Sequence, residues 1–89
     1  MKNESSKDRV IQIGEPMNIG ENITKLRKLK NISQKDMVAL LQLQGIEVSI
    51  YSYNRIEKGT QNPTVSVLLG CCKVLACDMN AIFDFHPSE

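Results

Sequence analysis

The stretch 50–58 carries side chains that can form hydrogen bonds at helical spacing. Read as a helix at 100° per residue, it places one set of side chains on a common face: Ile50, Tyr51, Asn54, Arg55 and Lys58. The Arg55 guanidinium can donate two parallel hydrogen bonds to guanine O6 and N7, and the Asn54 amide can pair with adenine N6 and N7. Tyr51 offers a hydroxyl to a base or a phosphate, and Ile50 can contact a thymine methyl. These residue types predict a helix that reads base edges.

A solvated amphipathic helix would show a similar pattern, because Asn and Arg are common on protein surfaces. Composition alone leaves this alternative open. The opposite face carries Tyr53 and Ile56, which we expect to pack inward. Ser49 is a good N-cap for this helix, and Gly59 is suited to the left-handed conformation that ends one.

Four further helices are predicted around this one. Helix 1 covers about 19–30, where Ile19, Ile23, Leu26 and Leu29 recur at three- and four-residue steps. Helix 2 starts after the N-cap Ser33 and fades around 43–45. Helix 4 starts near Pro63-Thr64 and runs to about 75, and a short helix 5 covers about 79–83. The sequence therefore predicts an all-α fold, a compact five-helix bundle with an extended turn between helices 2 and 3.

Size and charge limit the possible classes of protein. The chain has 89 residues and a net charge of +1, enough for one domain with a small core. The segment 19–77 holds eight basic residues against four acidic ones, which is compatible with phosphate contacts. No apolar run is long enough to cross a bilayer, and 1–6 lacks a hydrophobic signal segment. We expect a cytoplasmic protein with no membrane partner.

The sequence shows no catalytic or metal-binding pattern. Cys71, Cys72 and Cys77 do not have the spacing of a zinc site, and His86 is the only histidine. No nucleophile–base set, paired-carboxylate cleft or phosphate-cradling glycine loop occurs. We therefore expect no enzyme, cofactor, metal or small-molecule ligand. A redox-sensitive interface thiol at Cys71 is an alternative to a structural one.

An ordered set of short motifs resembles the phage-repressor/Cro-type helix-turn-helix family, also called the xenobiotic-response-element family. The matching pieces are Leu26-Arg27-Lys28, Ile32-Ser33-Gln34, Met37-Val38, Ile56-Glu57-Lys58-Gly59, Asn62-Pro63 and Leu68-Leu69. The resemblance covers about 19–83. It implies a sequence-specific DNA-binding transcription regulator, acting as a repressor, that inserts helix 3 into the major groove of double-stranded DNA.

The resemblance also implies roles for individual residues. The base-contacting positions are Ile50, Tyr51, Asn54 and Arg55. The positions expected to contact phosphates are Gln34, Lys35, Lys58, Thr60 and Asn62. Arg27 and Glu57 match a structural ion pair that ties helix 1 to the end of helix 3.

Three departures from the family pattern have structural consequences. The insert 43–47 lengthens the connection between helices 2 and 3. Tyr53 stands where a β-branched residue is usual, so the core must admit a ring and supply a partner for its hydroxyl. Ala76 stands where glycine usually ends helix 4, which predicts a strained turn.

Three segments are predicted: an N-terminal arm at 1–17, flexible or forming a short strand, a DNA-binding domain at 18–85, and a tail at 86–89. We expect a homodimer through helix 4 and the C-terminal segment. Helix 4 carries apolar residues off its core stripe: Val67, Leu69, Cys71 and Val74. In the alternative, the arm covers these residues in a monomer. A second functional hypothesis is a protein-interaction or antitoxin-like module on the same fold.

Overall fold

The computed structural model describes residues 19–83, which form five α-helices and their connections. They are α1 (Ile19–Leu29), α2 (Gln34–Leu43), α3 (Ile50–Lys58), α4 (Val65–Leu75) and α5 (Met79–Phe83). The all-α five-helix prediction is therefore confirmed. Within 19–83, no helix has both the length and the apolar character needed to cross a bilayer. The predicted arm at 1–17 and tail at 86–89 lie outside the described residues.

Local side-chain chemistry sets where these helices begin. Ser33, Ser49 and Thr64 have extended backbone, and each side-chain oxygen accepts a hydrogen bond from the backbone N–H three residues later. These caps satisfy N–H groups that have no partner within the helix. At the other end, Gly59 (φ 82°) and Ala76 (φ 54°) adopt the left-handed conformation that stops α3 and α4.

The core is mainly aliphatic, and Tyr53 is the one aromatic residue among its buried members within 19–83. Packing of α1 against α3 and α5, of α2 against α3 and α4, and of α4 against α5 encloses it. Its buried hydrophobic members are Ile19, Ile23, Met37, Val38, Leu41, Tyr53, Ile56, Val67, Leu68, Cys71, Cys72, Leu75 and Ile82. Every helix thus contributes to one core, and the buried residues of α3 pack against it.

Gly20 allows the start of α1 to approach the end of α3 closely. A Cβ atom at this position would overlap with the backbone carbonyl groups of Ile56 and Glu57. Glycine is required here for space, because any side chain would push the two helices apart. This close approach places α1 where it can reach the C-terminal turn of α3.

The extended turn between α2 and α3 is packed against the rest of the bundle. Ile46 and Val48 are half-buried against the core, and Gln44 Nε2 donates to Gly70 O at 3.3 Å. Gly45 (φ 82°) reverses the chain after α2. The longer connection is therefore anchored to α4, and it delivers Ser49 to the start of α3.

Three placements of apolar side chains were wrong. Leu29 is 78% exposed, because it lies about 200° around α1 from the buried Arg27. Val67 and Cys71 are buried in the chain's own core at 4% and 0% exposure. The buried arc of α4 is wider than one stripe, because α2 and α5 both pack against this helix. Of the four residues predicted to lie off the core stripe, Leu69 is exposed and Val74 is half-buried.

Candidate nucleic-acid interface

The outer face of α3 is the candidate interface. Tyr51 is 74% exposed, Arg55 is exposed, Ile50 is 37% exposed, and Asn54 is half-buried. The opposite face buries Tyr53, Ile56 and Glu57. Because these inner residues pack at i, i+3 and i+4, the helix cannot rotate about its axis without exposing them. The four residues expected to contact bases are thus presented on the outside of the protein.

A buried ion pair connects α1 to the C-terminal turn of α3. Arg27 Nε lies 2.7 Å from Glu57 Oε2, and Arg27 Nη2 donates to Glu57 Oε1 at 3.0 Å. Both side chains are buried, at 8% and 4% exposure. Arg27 Nη1 also donates to Ile32 O at 2.7 Å, so the pair holds the α1–α2 turn as well. The two-point geometry gives this pair both strength and a defined orientation.

Glu57 is the centre of a wider hydrogen-bond network. Its Oε1 accepts from Gln34 Nε2 at 3.0 Å and lies 2.8 Å from Thr24 Oγ1. The Thr24 hydroxyl also lies 2.9 Å from Gly20 O, and its single proton can serve one acceptor at a time. Burial by itself would raise the Glu57 pKa, but the hydrogen bonds, first that from Arg27, hold this pKa below its ordinary value. Glu57 is therefore an ionised, acceptor-only group at neutral pH.

Gln34 joins this network to the outer face of α3. It is the first residue of α2, and its Oε1 accepts from Asn54 Nδ2 at 3.1 Å. The half-buried Gln34 side chain thus bridges Glu57 and Asn54. Sequence reasoning assigned Gln34 to a phosphate alone, and the structure gives it two partners within the protein.

Arg55 is held by a residue that sequence reasoning missed. Its Nε donates to Gln61 Oε1 at 3.1 Å, and its backbone carbonyl accepts from Thr60 N at 2.9 Å. Gln61 lies six positions after Arg55, on the loop that follows Gly59. Gly59, whose left-handed conformation ends α3, turns the chain back toward this helix, and it was the sequence signal for this contact.

The remaining expected phosphate contacts lie around the same helix. Lys35, Lys58 and Thr60 are exposed, and Asn62 is half-buried. Lys35 is in the first turn of α2, while Lys58 ends α3. The N-terminus of α2 also adds partial positive charge from its unpaired N–H groups.

The polar neighbour of the Tyr53 hydroxyl in the core is the carboxylate of Glu57. Tyr53 is fully buried, and its Oη makes no hydrogen bond of acceptable geometry with any residue in 19–83. Glu57 lies one turn further along α3 and is near enough to affect the pKa of Tyr53, but its oxygens bond to Thr24 and Arg27 of α1 and to Gln34 of α2. Burial is the main cause that raises the pKa of Tyr53. The phenol therefore stays protonated in the core.

Cys71 of α4 is a core residue. Cys71 is fully buried, and burial raises its pKa to about 12. A thiol of this kind is protonated at neutral pH and unreactive, so the structure does not favour an interface thiol at Cys71. Within the described range 19–83, no group of three or more His, Cys, Asp or Glu side chains is placed to hold a metal ion.

One comparison with known proteins bears on this site. A family model described as Helix-turn-helix matches residues 23–82, about two thirds of the chain. The matched part contains α2, the connecting turn and α3 in full, together with both members of the buried ion pair. A comparison with curated proteins found no match.

Proposed function

Because the chain belongs to the helix-turn-helix family of DNA-binding transcription regulators, we propose that it is a sequence-specific repressor that inserts α3 into the major groove. The observation that carries this proposal is the division of α3 into two faces. Tyr51 and Arg55 are exposed, while Tyr53, Ile56 and Glu57 are buried. A helix held on one side by an ion pair and a core can present its other side in one orientation, as base recognition requires.

Base contacts in this proposal come from four residues of α3. Arg55 donates to guanine, Asn54 pairs with adenine, Tyr51 contacts a base or phosphate, and Ile50 contacts a thymine methyl. Each two-point contact contributes about 1–3 kcal/mol of discrimination against the wrong base. The Nε of Arg55 already binds Gln61, so the Nη1 and Nη2 edge is the one left for guanine.

Phosphate contacts position the protein on the duplex without reading sequence. Gln34 and Lys35 approach one phosphate at the N-terminus of α2. The other contacts come from Lys58, Thr60 and Asn62, at and after the end of α3. The second proton of Gln34 Nε2 is available for this contact, because the first goes to Glu57.

Repression then follows from occupancy of an operator in the cytoplasm. We propose that the protein acts as a homodimer, because two DNA-binding domains related by a two-fold axis read paired half-sites. Four apolar residues of α4 were expected to lie off its core stripe. Of these, Leu69 is 52% exposed and can make such a contact.

A protein-interaction or antitoxin-like module is the second candidate. Exposed apolar side chains support it, since Leu43 is 82% and Tyr51 is 74% exposed. The polar groups of Asn54 and Arg55 beside Tyr51 oppose it, because an apolar partner would leave them unpaired.

Selection from random double-stranded DNA tests the choice between the two. We expect the wild-type chain to enrich one motif, and Arg55→Ala to lose preference at some positions of that motif only. Lys25→Ala is the control, since Lys25 is exposed on α1 and belongs to neither contact set. Failure of the wild type to enrich any motif would favour the protein-interaction module.

A further inference from the structure

A cluster of sulfur atoms lies where α4 ends and α5 begins. Its members are Cys72, Cys77 and Met79, called the sulfur cluster below. Cys72 Sγ lies 3.5 Å from Met79 Sδ, and the thiols of Cys72 and Cys77 are near enough that each affects the pKa of the other. Cys72 is thus the common neighbour of a second thiol and a thioether. None of the three residues belongs to α3 or to the sets proposed to contact DNA.

The end of α4 brings the two thiols together. Ala76 is left-handed, so the chain turns back over the last turn of the helix. Cys77 N then donates to Cys72 O at 3.0 Å, and Ala76 N donates to Lys73 O at 3.3 Å. At helix ends of this type, the side chain after the left-handed residue commonly packs on the last turn. The backbone therefore holds Cys77 against Cys72.

The start of α5 brings the thioether to the same place. Asp78 Oδ1 accepts from Ala81 N at 3.1 Å, which fixes the first turn of α5. Met79 is the first residue of this helix, and its sulfur reaches back to Cys72. Because α5 also packs against α1, the position of Met79 does not depend on the sulfur contact alone.

The sulfur cluster is open to solvent on one side. Cys72 is 9% exposed, whereas Cys77 and Met79 are half-buried. An ion can therefore approach past Cys77 and Met79 and reach Cys72 at the base of the cluster. Cys71 differs from these residues, because it is fully buried in the core.

We propose that the sulfur cluster binds one Cu(I) ion, with the thiolates of Cys72 and Cys77 and the thioether of Met79 as ligands. Thiolate and thioether sulfur are soft ligands that select Cu(I), whereas protein zinc sites use Cys, His and carboxylates. Two sulfur atoms that are each about 2.3 Å from one metal ion are at most about 4.6 Å apart. The separation of 3.5 Å between Cys72 Sγ and Met79 Sδ is within this limit. This inference is independent of the proposed function.

Binding exchanges protons for the metal without any change of oxidation state. Two Cu–S bonds replace the S–H bonds of Cys72 and Cys77, the two protons go to solvent, and Met79 donates a lone pair. Burial raises the pKa of Cys72 to about 11, but a thiol that coordinates a metal ion is deprotonated outright. The complex of Cu(I) with two thiolates carries one negative charge. Of the charged groups that affect the pKa of Cys77, Asp78 adds to this charge and Lys30 offsets it.

Competition with a chromogenic Cu(I) chelator under anaerobic conditions tests the site. With the Cu(I) acetonitrile complex as the probe, we expect the wild-type chain to take one ion per chain. Cys77→Ala should weaken binding by more than the roughly 10- to 100-fold that loss of an outer-shell partner costs. Cys71→Ala is the matched control, the same change at a cysteine outside the cluster, and it should bind as the wild type does. Circular dichroism confirms that each variant is folded.

The thioether has a test of its own. Met79→Leu conserves side-chain volume and removes the sulfur atom, so it should keep the fold and weaken Cu(I) binding by about tenfold. X-ray absorption at the copper edge should show three sulfur neighbours in the wild type and two in Met79→Leu. Met37→Leu, the same change at a buried residue of α2, should keep all three.

Three results would overturn the proposal. The wild-type chain takes no Cu(I) from the chelator, or Cys77→Ala and Cys71→Ala lose binding equally, which would mean that thiols bind copper without a defined site. In the third, the wild type shows two sulfur neighbours, which would remove Met79 from the ligands. A three-sulfur shell that depends on Cys77 and Met79 would establish the site.

Discussion

The Tyr53 hydroxyl is buried beside the Glu57 carboxylate without a hydrogen bond of acceptable geometry to any residue in 19–83. A buried donor with no partner costs about 1–3 kcal/mol, because it loses its hydrogen bonds to water and gains none in the protein. The ring itself is well placed, since Tyr53 is fully buried among aliphatic side chains of several helices. The oxygen atom and the ring thus have opposite effects on stability.

Tyr53→Phe should therefore raise the free energy of unfolding by about 1 kcal/mol, since it removes the unpaired hydroxyl and keeps the ring. Urea denaturation at pH 7 measures this change. Tyr51→Phe is the control, because that hydroxyl is on an exposed side chain and its loss should change stability by less than about 0.5 kcal/mol. A loss of stability in Tyr53→Phe would show that the hydroxyl has a partner.

Glu57 makes stability depend on pH. Glu57→Gln removes the charge that compensates the buried Arg27, and it should cost about 3–5 kcal/mol at pH 7. The folded-state pKa of Glu57 lies below its ordinary value of 4.5. The contribution of the ionised carboxylate is therefore fully present above pH 4.5 and is lost as the pH falls through the folded-state value.

The stability difference between the wild type and Glu57→Gln should accordingly narrow below pH 4.5. Thermal unfolding followed by circular dichroism between pH 7 and pH 3 measures it. Glu47→Gln provides the comparison, because Glu47 is exposed on the α2–α3 connection and its variant should track the wild type. A constant difference across this pH range would mean that the charge of Glu57 does not stabilise the fold.

At the scale of the elements, helix ends differ in how well their residues suit the backbone. Ala76 ends α4 at φ 54° and ψ 47°, the left-handed region. Alanine pays about 1–2 kcal/mol there, because its Cβ crowds the carbonyl oxygen, whereas glycine does not. Gly59 ends α3 in the same region without this cost.

Ala76→Gly should therefore stabilise the protein by about 1 kcal/mol, measured as a shift in the urea midpoint. Ala39→Gly, the same chemical change at an exposed position inside α2, should destabilise it by about 1 kcal/mol. Stability changes of opposite sign in the two variants would show that the left-handed backbone at Ala76 is the cause. Destabilisation by both would mean that Ala76 is not strained.

The connection between α2 and α3 is longer than the family pattern, and it is packed against the rest of the bundle. Gln44 binds the backbone of Gly70, and Ile46 and Val48 are half-buried against the core. A Cβ atom on Gly70 would overlap with the side chain of Ile46, so Gly70 leaves the space that this anchor occupies. The extra residues are thus accommodated on the α4 side, and α3 keeps its position over the ion pair.

At the scale of the whole molecule, Val67 and Cys71 are buried in the core of one copy, so they cannot contact a second copy. The apolar surface of α4 that could form a dimer contact is therefore smaller than predicted. Leu69→Lys should lower self-association, because it places a charge on an apolar side chain that is exposed in one copy. Size-exclusion chromatography with light scattering measures the mass at high micromolar concentration.

Leu29→Lys is the matched control for this contact. Leu29 is 78% exposed at the end of α1, outside the proposed surface, and its variant should keep the wild-type mass. A wild-type chain that remains monomeric at this concentration would remove the homodimer from the proposal.

Local chemistry made the helices predictable. The N-caps Ser33 and Ser49, the glycine at 59 and the apolar spacing act within a few residues, so the sequence alone determined the all-α fold and the bounds of α3 and α5. It also placed Tyr51 and Arg55 opposite Tyr53, because helical periodicity is a local property.

Only the tertiary structure decided which partners these side chains meet. Gln34 reaches Asn54 and Glu57 across 20 and 23 positions of the chain, and Arg27 reaches Glu57 across 30. Likewise, the second buried side of α4 and the unpaired hydroxyl of Tyr53 follow from how neighbouring helices pack around them. Such contacts depend on how neighbouring helices pack against each other, and periodicity within one helix carries no information about that packing.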